Sequence, residues 1–533
     1  MKVEYILLKS LIRNLFTKKK NKDEGKKMTT LPLYRHQEDC LLAIRNFYLD
    51  EKKVSSRVVI PTGGGKSRIE SLVIDEFGIK KENNVGASLV LFHRIALGQQ
   101  HVGLGSSIQE KKGFREWIGI DNWVAAAFHS GEHYVPKGKS KYSECSTTKS
   151  SVLQEFIELQ KRKGNYVIVF STYHSYYKLT DILFDVMIAD ESQFLVHEKY
   201  HNVYSKISAN KKICFTATEK WTESDCGLGL NNESVFGPRI YEVKASVLIE
   251  KEIIVKPRIH ILETSDEDRK NKTLDLCKKI AVYHNKKFNK MLGFSKTLFS
   301  MSGSSEIKEV LSCQESFKEF LPNHDIFIIH SREEIKATKN GKEISNRNEF
   351  LEEVKESKNC LIFHYDILSE GIDVPGITGV VILRAMNTCK LLQTVGRSLR
   401  LYKVKGINKK EYALVTIVAW NKNRDDWVNV QKHLIALRLG GFPLNEEFDI
   451  SREFVKDTKE LFNLKEEQDL CDLISTEEHR KNVQKKLDDA KHLIEKDIEE
   501  EELSNIIEQS KKNSKIDIFT LMYEKCVSAG TRI

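Results

Sequence analysis

Ten cysteines are spread over the 533 residues without one Cys-x-x-Cys pair. That spacing excludes a cysteine zinc site and a disulfide framework, and it suits a reducing, cytoplasmic compartment. No uninterrupted apolar run approaches the roughly 18 residues of a membrane helix, so the chain is not read as an integral membrane protein. The first 27 residues, apolar and basic and then lysine-rich, lack the compact apolar core and small-residue cleavage site of a secretory signal. Three readings stay open for them: a mitochondrial presequence, a nucleic-acid-binding arm, or a solvated extension ahead of a start at Met28. No internal repeat, low-complexity tract, nuclease motif or methyltransferase motif stands out, and no proline follows Pro443.

What is present describes a globular protein too long for one core: 40% of residues are apolar, 30% are charged, and the formal charge is +9. The basic balance favours a polyanionic partner without requiring a wholly basic surface. From Leu31 onward, helical periodicity alternates with short β-rich runs at 57–60, 87–92, 122–128, 166–170, 185–189 and 212–216. A second set follows at 296–301, 325–329, 360–363, 379–383 and 413–420. Strands apolar on both faces and separated by helices imply parallel sheets covered on both sides. The expected fold is α/β, two tandem doubly wound domains with a cleft between them where ligands of such sheets lie. The boundaries are read as a basic extension over 1–29, domains over 30–248 and 249–445, with the junction near 251–260, and a charged α-helical extension over 446–533. That extension is a solvated helix or a docking element for a protein partner.

The stretch Val58 to Glu70 carries the clearest chemistry. A run of β-formers leads through Pro61 and Thr62 to Gly63, Gly64 and Gly65, then Lys66 and Ser67 open a helix. Bare backbone lets N–H groups converge on a phosphate chain, Lys66 reaches its outer phosphates, and the Ser67 hydroxyl can ligate Mg2+. The strict G-x-x-x-x-G-K-[ST] pattern fails at its first position, which is Ile60. The matching acidic half is Asp190 and Glu191 at the end of the 185–189 strand, the first to hold the metal and the second to position an attacking water. ATP and Mg2+ are the ligands expected.

Eight segments in order, LYRHQ (33–37), PTGGGKS (61–67), LFHRIALGQQ (91–100), STYHS (171–175), DESQ (190–193), FTATE (215–219), SEGIDVP (369–375) and QTVGRSLR (393–400), resemble the superfamily 2 helicases and translocases. In style they are most similar to the motor subunits of type I and type III restriction enzymes. The resemblance spans about residues 31–440 and implies a nucleic-acid-dependent ATPase. It implies further that Gln37 reads adenine, that Gly371 and Asp373 lie at the ribose, and that Thr216 and Thr218 couple hydrolysis to domain movement. Arg397 and Arg400, three apart on one helix face with Gln393 nearby, would be placed against the γ-phosphate by the second domain. Arg94, Thr172, Ser302, Gly303 and Arg332 are the candidates for contact with the nucleic acid. Gln193 and Thr394 depart from the residues common in RNA-handling relatives, which favours DNA.

A rival motif stands beside the acidic pair. HEKYH (197–201) satisfies H-E-x-x-H, in which His197 and His201 would bind zinc with Glu198 as base. The motor reading already accounts for that position, so chance is the preferred explanation. A second functional class also stays open, an ATP-gated recruitment subunit whose nucleotide site acts as a switch.

Overall fold

The computed structural model describes residues 32–452 and 477–496, apart from 81–84, 103–112, 119–121, 131–142, 221–226, 265–268, 331–336, 346, 366–373, 375, 405–406, 409, 421–423 and 445–448. The N-terminal extension and most of the C-terminal one, 453–476 and 497–533, therefore lie outside the described residues.

Eight strands build the first sheet: β1 (Ser55–Val59), β2 (Ala87–Phe92), β3 (Trp123–Phe128), β4 (Cys145–Thr147), β5 (Tyr166–Thr172), β6 (Phe184–Ala189), β7 (Ala209–Thr216) and β8 (Arg239–Glu242). Their spatial order is β4-β3-β5-β2-β6-β7-β1-β8, and all pairs are parallel. Every residue of β2 and β5 is buried, as expected of strands covered on both faces. Because the sheet is parallel, the segments that leave β1, β5, β6 and β7 emerge along one edge. Glycine loop, STYHS, acidic pair and FTATE thereby share a rim, although they are scattered over more than 150 residues of sequence.

The second sheet comprises β9 (Lys256–Thr264), β10 (Lys296–Ser300), β11 (Asp325–His330), the hairpin strands β12 (Thr338–Lys339) and β13 (Lys342–Glu343), β14 (Cys360–Tyr365), β15 (Gly379–Ile382), β18 (Tyr412–Trp420) and β19 (Asp449–Arg452). A separate ribbon pairs β16 (Lys403–Val404) with β17 (Ile407–Asn408). The order is β13-β12-β11-β14-β10-β15-β18-β9-β19, parallel except at the hairpin. The two parallel-rich sheets are those of tandem RecA-like domains, the expected fold class. One expectation needs refining. The stretch 251–260 is not only a connection, because its second half opens β9, which pairs with β18 over nine residues inside the second sheet.

Apolar packing runs without a break from one sheet to the other. Val58, Ile60 and Leu248 share a cluster with Ile253, Ile254, Val255, Leu391, Val395 and Leu399. Main-chain bonds stitch the same seam: Val255 N–H donates to Leu399 O at 2.8 Å, Ile254 bridges Arg400, and Ser246 N–H donates to Gly441 O at 2.8 Å.

The expected extension over 446–533 begins inside the second sheet, since β19 pairs with β9; its other described part, helix Glu477–Lys496, buries Val483, Leu487, Ala490 and Ile494. These recur at helical spacing on one face, and the helix packs on helix Arg424–Leu439. Lys486 seals the contact, 2.5 Å from the buried Glu263 carboxylate and 5.1 Å from the Trp427 ring centre. The chain itself covers this face of the extension, which was expected to be a solvated helix or a docking element for a protein partner.

Two buried histidines make the second sheet's surroundings acid-sensitive. Burial lowers His284 to about 3 and His433 to about 4. His433 Nε2 accepts the Met386 N–H at 3.1 Å, which requires its lone pair. Their folded pKa values lie below the unfolded one, so their stabilisation is full above pH 6.5 and is lost as pH falls toward 4. Unfolding followed by tryptophan fluorescence should show stability dropping by a few kcal/mol between pH 6.5 and 4.5. His433→Gln, which keeps an acceptor but cannot titrate, should flatten that slope, and an unchanged slope would contradict the assignment.

Candidate nucleotide and metal site

Strand β1 ends in a loop that glycine alone accommodates. Gly63 and Gly65 have φ of 89° and 81°, and helix Lys66–Ile74 begins directly after Gly65. His36 clamps the loop from outside, its Nε2 2.7 Å from Gly64 O. Gln37 is buried against the same backbone. Its Oε1 accepts the Tyr34 N–H at 3.1 Å, its Nε2 lies 3.4 Å from Gly65 O, and a Cβ on Gly65 would meet that nitrogen at 2.4 Å. The carboxamide expected to read adenine is therefore spent partly on the loop. The Lys66 side chain spans the loop, its Nζ 3.4 Å from Ile60 O and 3.9 Å from Glu191 Oε1.

Across the rim stands the acidic pair. Glu191 has φ of 53°, a left-handed conformation that costs a non-glycine residue on the order of 1–3 kcal/mol. The turn aims its carboxylate outward, where Oε2 accepts from Gln193 Nε2 at 3.1 Å and from Gln393 Nε2 at 3.2 Å. Gln393 belongs to the second sheet's side of the molecule, so one carboxylate is held from both. The Thr216 hydroxyl lies 2.7 Å from Gln193 Oε1 and accepts the Thr218 N–H at 3.0 Å, extending the path to FTATE.

Helix Thr388–Ser398 carries Gln393 and Arg397. Asn387 caps its start, Oδ1 accepting the Lys390 N–H at 2.9 Å. At its end the buried Lys410 ammonium donates to the carbonyls of Ile377 (2.6 Å), Ser398 and Arg400 (3.3 Å). Burial, then the Arg400 charge, pushes Lys410 down to about 7, and burial brings Arg400 itself to about 10. Arg397 and Thr394 are buried in the same helix. The helix lies directly on the glycine loop: a Cβ on Gly396 would come 2.6 Å from Thr62 Cβ, and one on Gly63 would come 2.9 Å from Ile254 and 3.9 Å from Arg400 Cγ. The guanidinium-bearing segment and the lysine loop are thus brought together.

Two residues that motif reading did not single out join Asp190 at the site. Glu70 lies one turn after Ser67 on the same helix face, and His101 lies in the last turn of helix Ile95–Val102. His101 Nε2 is 3.1 Å from Glu70 Oε2, 3.3 Å from Asp190 Oδ2 and 3.4 Å from Ser67 Oγ. Burial works to lower His101, and its two carboxylate partners overcome that and hold it well above the usual range. Burial raises Glu70, with the Asp190 charge adding to it. Burial would raise Asp190 too, but the His101 bond and charge hold it below its ordinary value. Glu70 Oε1 is buried with no hydrogen-bond partner. Ser67, Asp190 and an underused carboxylate are a donor set that fits a divalent cation. No spacing in the sequence links positions 70, 101 and 190; a histidine ending the LFHRIALGQQ helix was the one available hint.

The other candidates are placed as follows. Thr172 ends β5 and its hydroxyl donates to Ser175 Oγ at 3.2 Å. Arg94 Nε donates to His93 Nε2 at 3.1 Å. Gly303 precedes helix Ser304–Ser312, and Ser302 turns its N–H (2.9 Å) and hydroxyl to Glu306. Arg332, Gly371 and Asp373 lie outside the described residues. His197 sits at the N-cap of helix Glu198–Lys206, and the His201 ring packs edge-on against Phe236 at 5.4 Å. Among the described residues the one cluster of three metal-capable side chains is Glu70, His101 and Asp190.

The family model described as the res subunit of type III restriction enzymes matches residues 30–220, and that of the helicase conserved C-terminal domain matches 271–402. The chain belongs to the superfamily 2 helicases. Solved structures similar to this helicase include the ATP-dependent Type ISP restriction-modification enzyme LlaBIII bound to DNA, at 15% identity over 81% of this chain and 32% of that one, with a TM-score of 0.55. A nuclease-deletion mutant of the Type ISP enzyme LlaGI with a DNA substrate mimic gives 17% identity over 76% and 28%, TM-score 0.50. S. cerevisiae Dbp5 bound to RNA and ADP BeF3 gives 13% over 87% and 100%, TM-score 0.48. The helicase thus spans about a third of the length of the two restriction enzymes. A search of the curated proteins found no match. No described helix is long and apolar enough to cross a membrane.

The close approach at Thr62 gives a test of the helicase's two-sheet arrangement. Gly396→Ala should push the helix off the loop at a cost of about 1–3 kcal/mol. Small-angle scattering should then show a larger radius of gyration with unchanged circular dichroism, and identical scattering would show that the contact does not set the arrangement.

Proposed function

We propose that this chain is an ATP-dependent nucleic-acid motor, acting on DNA in preference to RNA, with residues 30–248 binding ATP and 249–445 closing on it. The observation that carries the reading is the Glu191 carboxylate held at once by Gln193 and, from the other domain, by Gln393. A carboxylate so placed can orient water for in-line attack only while the domains are together, which ties turnover to closure.

In this reading Gly63, Gly64 and Gly65 cradle the phosphates and Lys66 neutralises the outer ones, while Pro61 and Thr62 shape the loop. Glu191 aligns a water that attacks the γ-phosphorus as the bond to the β-γ bridging oxygen breaks; the water's proton passes toward the carboxylate. Arg397 and Arg400 stabilise charge on the phosphoryl oxygens. Mg2+ held by Ser67 and Asp190 would offset phosphate charge. Gln37 places the base, with Gly371 and Asp373 at the ribose. Nucleic acid lies along Arg94, Thr172, Ser302, Gly303 and Arg332, and its binding favours closure; Thr216 and Thr218 pass the state of Glu191 to that track. The DNA preference rests on Gln193, Thr394 and motif style, and on the DNA named with the two restriction enzymes. The cytoplasm is the compartment that the cysteine usage suits.

Lys66→Ala and Glu191→Gln should each reduce nucleic-acid-stimulated ATP hydrolysis by at least about a hundredfold, equivalent to about 2.7 kcal/mol. Arg400→Ala should keep nucleotide binding and lose turnover. ATPase assays run in parallel on single-stranded, duplex and forked DNA and on RNA should show the strongest stimulation by a DNA form. Triplex- and strand-displacement assays separate a motor from an ATP-gated recruitment switch. Full stimulated turnover in Lys66→Ala protein would end the motor reading, and stimulation by RNA alone would end the DNA preference.

A further inference from the structure

His101 has one fixed proton. Its Nδ1 lies 2.8 Å from Leu97 O, and a carbonyl can only accept, so Nδ1 carries the hydrogen. The same bond fixes the ring and turns Nε2 toward Glu70, Asp190 and Ser67. This is how a metal-binding imidazole is usually oriented, with its far N–H bound to a carbonyl. Phe92 stacks near one side of the ring (6.4 Å) and Phe114 meets it edge-on (5.7 Å), giving an apolar wall.

An imidazole nitrogen aimed at two carboxylates in a buried site holds a positive centre among them, either the proton of an imidazolium or a metal ion in its place. The spacing suits a metal ion. Ligands about 2.1–2.2 Å from an octahedral ion lie about 3 Å from one another at right angles. Nε2 stands 3.1 Å from Glu70 Oε2 and 3.3 Å from Asp190 Oδ2, with Ser67 Oγ at 3.4 Å. The Glu70, His101 and Asp190 ligand atoms all lie within 4.8 Å of one another. Glu70 supplies an independent sign, since its buried Oε1 has no hydrogen-bond partner.

We propose that Glu70, His101 and Asp190, with Ser67 beside them, form a divalent-cation site with a nitrogen ligand, which takes Mn2+ in preference to Mg2+. Magnesium favours an all-oxygen shell rich in water, whereas manganese accepts imidazole alongside carboxylates. His101 and Glu70 thereby add to the two oxygen donors, Ser67 and Asp190, an imidazole that discriminates among metals. The inference rests on the reading of Ser67 and Asp190 as cation ligands, and it concerns binding before any nucleotide arrives.

The test uses the full chain without nucleotide or nucleic acid. Calorimetry with Mn2+ and with Mg2+ should give one site per chain, filled at least tenfold more tightly by Mn2+. Pulsed electron paramagnetic resonance of the bound Mn2+ should show coupling to a 14N nucleus. His101→Gln should abolish that coupling and remove the preference, while Glu70→Gln should weaken Mn2+ binding and keep the coupling. A wild-type Mn2+ spectrum without nitrogen coupling overturns the proposal even if His101→Gln fails to fold, as does equal Mn2+ affinity in wild type and His101→Gln. ATPase in Mg2+ is measured in parallel. Turnover without nitrogen coupling leaves the motor reading standing and sinks the metal site; nitrogen coupling without turnover does the reverse.

Discussion

One carboxylate, Glu191, bears the constraint on which the rest of the arrangement depends. Its left-handed backbone turn is unfavourable for any residue with a side chain. The strain persists because the surroundings over-determine it: Asp190 Oδ1 accepts the Glu191 N–H at 2.9 Å, and Tyr173 OH donates to Asp190 O at 2.7 Å. Both anchors are buried in a domain whose strands are packed on two faces. The energy that holds the turn is therefore that of the first sheet as a whole, and the carboxylate is presented without searching for its position.

From that carboxylate a polar path leaves in two directions. One runs through Gln193 to Thr216 and Thr218, the other through Gln393 into helix Thr388–Ser398. Both amides donate to the same oxygen, so a change at Glu191 alters the partners of both. Each bond contributes about 1 kcal/mol, more for a charged acceptor, whereas an unmade one in a buried site costs more than a made one contributes. Such a path favours two discrete arrangements over a graded response, as the proposed coupling of closure to hydrolysis requires.

The sequence displayed its strands well because parallel strands buried on both faces are continuous apolar runs. All eleven runs reappear within a few residues of their expected ends. The short edge strands β4, β8, β13 and β19 went unseen, since an edge strand needs little apolar content. β9 was half missed because Lys256, Pro257 and Arg258 read as a linker, although the residues after them are buried in the sheet. At the site, motifs carried by consecutive residues were legible. Glu70 and His101 were not, because a helix turn and a neighbouring strand bring them to Asp190 only in three dimensions. Lys410 was equally opaque: a lysine in a lysine-rich stretch looks solvated, yet its ammonium is buried against three carbonyls.

That lysine explains how the segment bearing Arg397 and Arg400 keeps a fixed geometry. A helix of eleven residues has free N–H groups at its start and free carbonyls at its end, and both ends are where it frays. Here Asn387 closes the first end, and His433 holds the preceding Met386 N–H. Lys410 closes the other by gathering Ser398 O, Arg400 O and Ile377 O. A cation at a helix C-terminus also opposes the helix dipole's negative end. Arg397 lies inside the secured helix, and the Arg400 carbonyl is itself one of the three acceptors, so neither arginine can drift without breaking bonds to a buried charge. Burying an ammonium is unfavourable, which is why its pKa falls. The fold accepts that cost at the one place where a loose last turn would leave the arginines beside the glycine loop without a defined position.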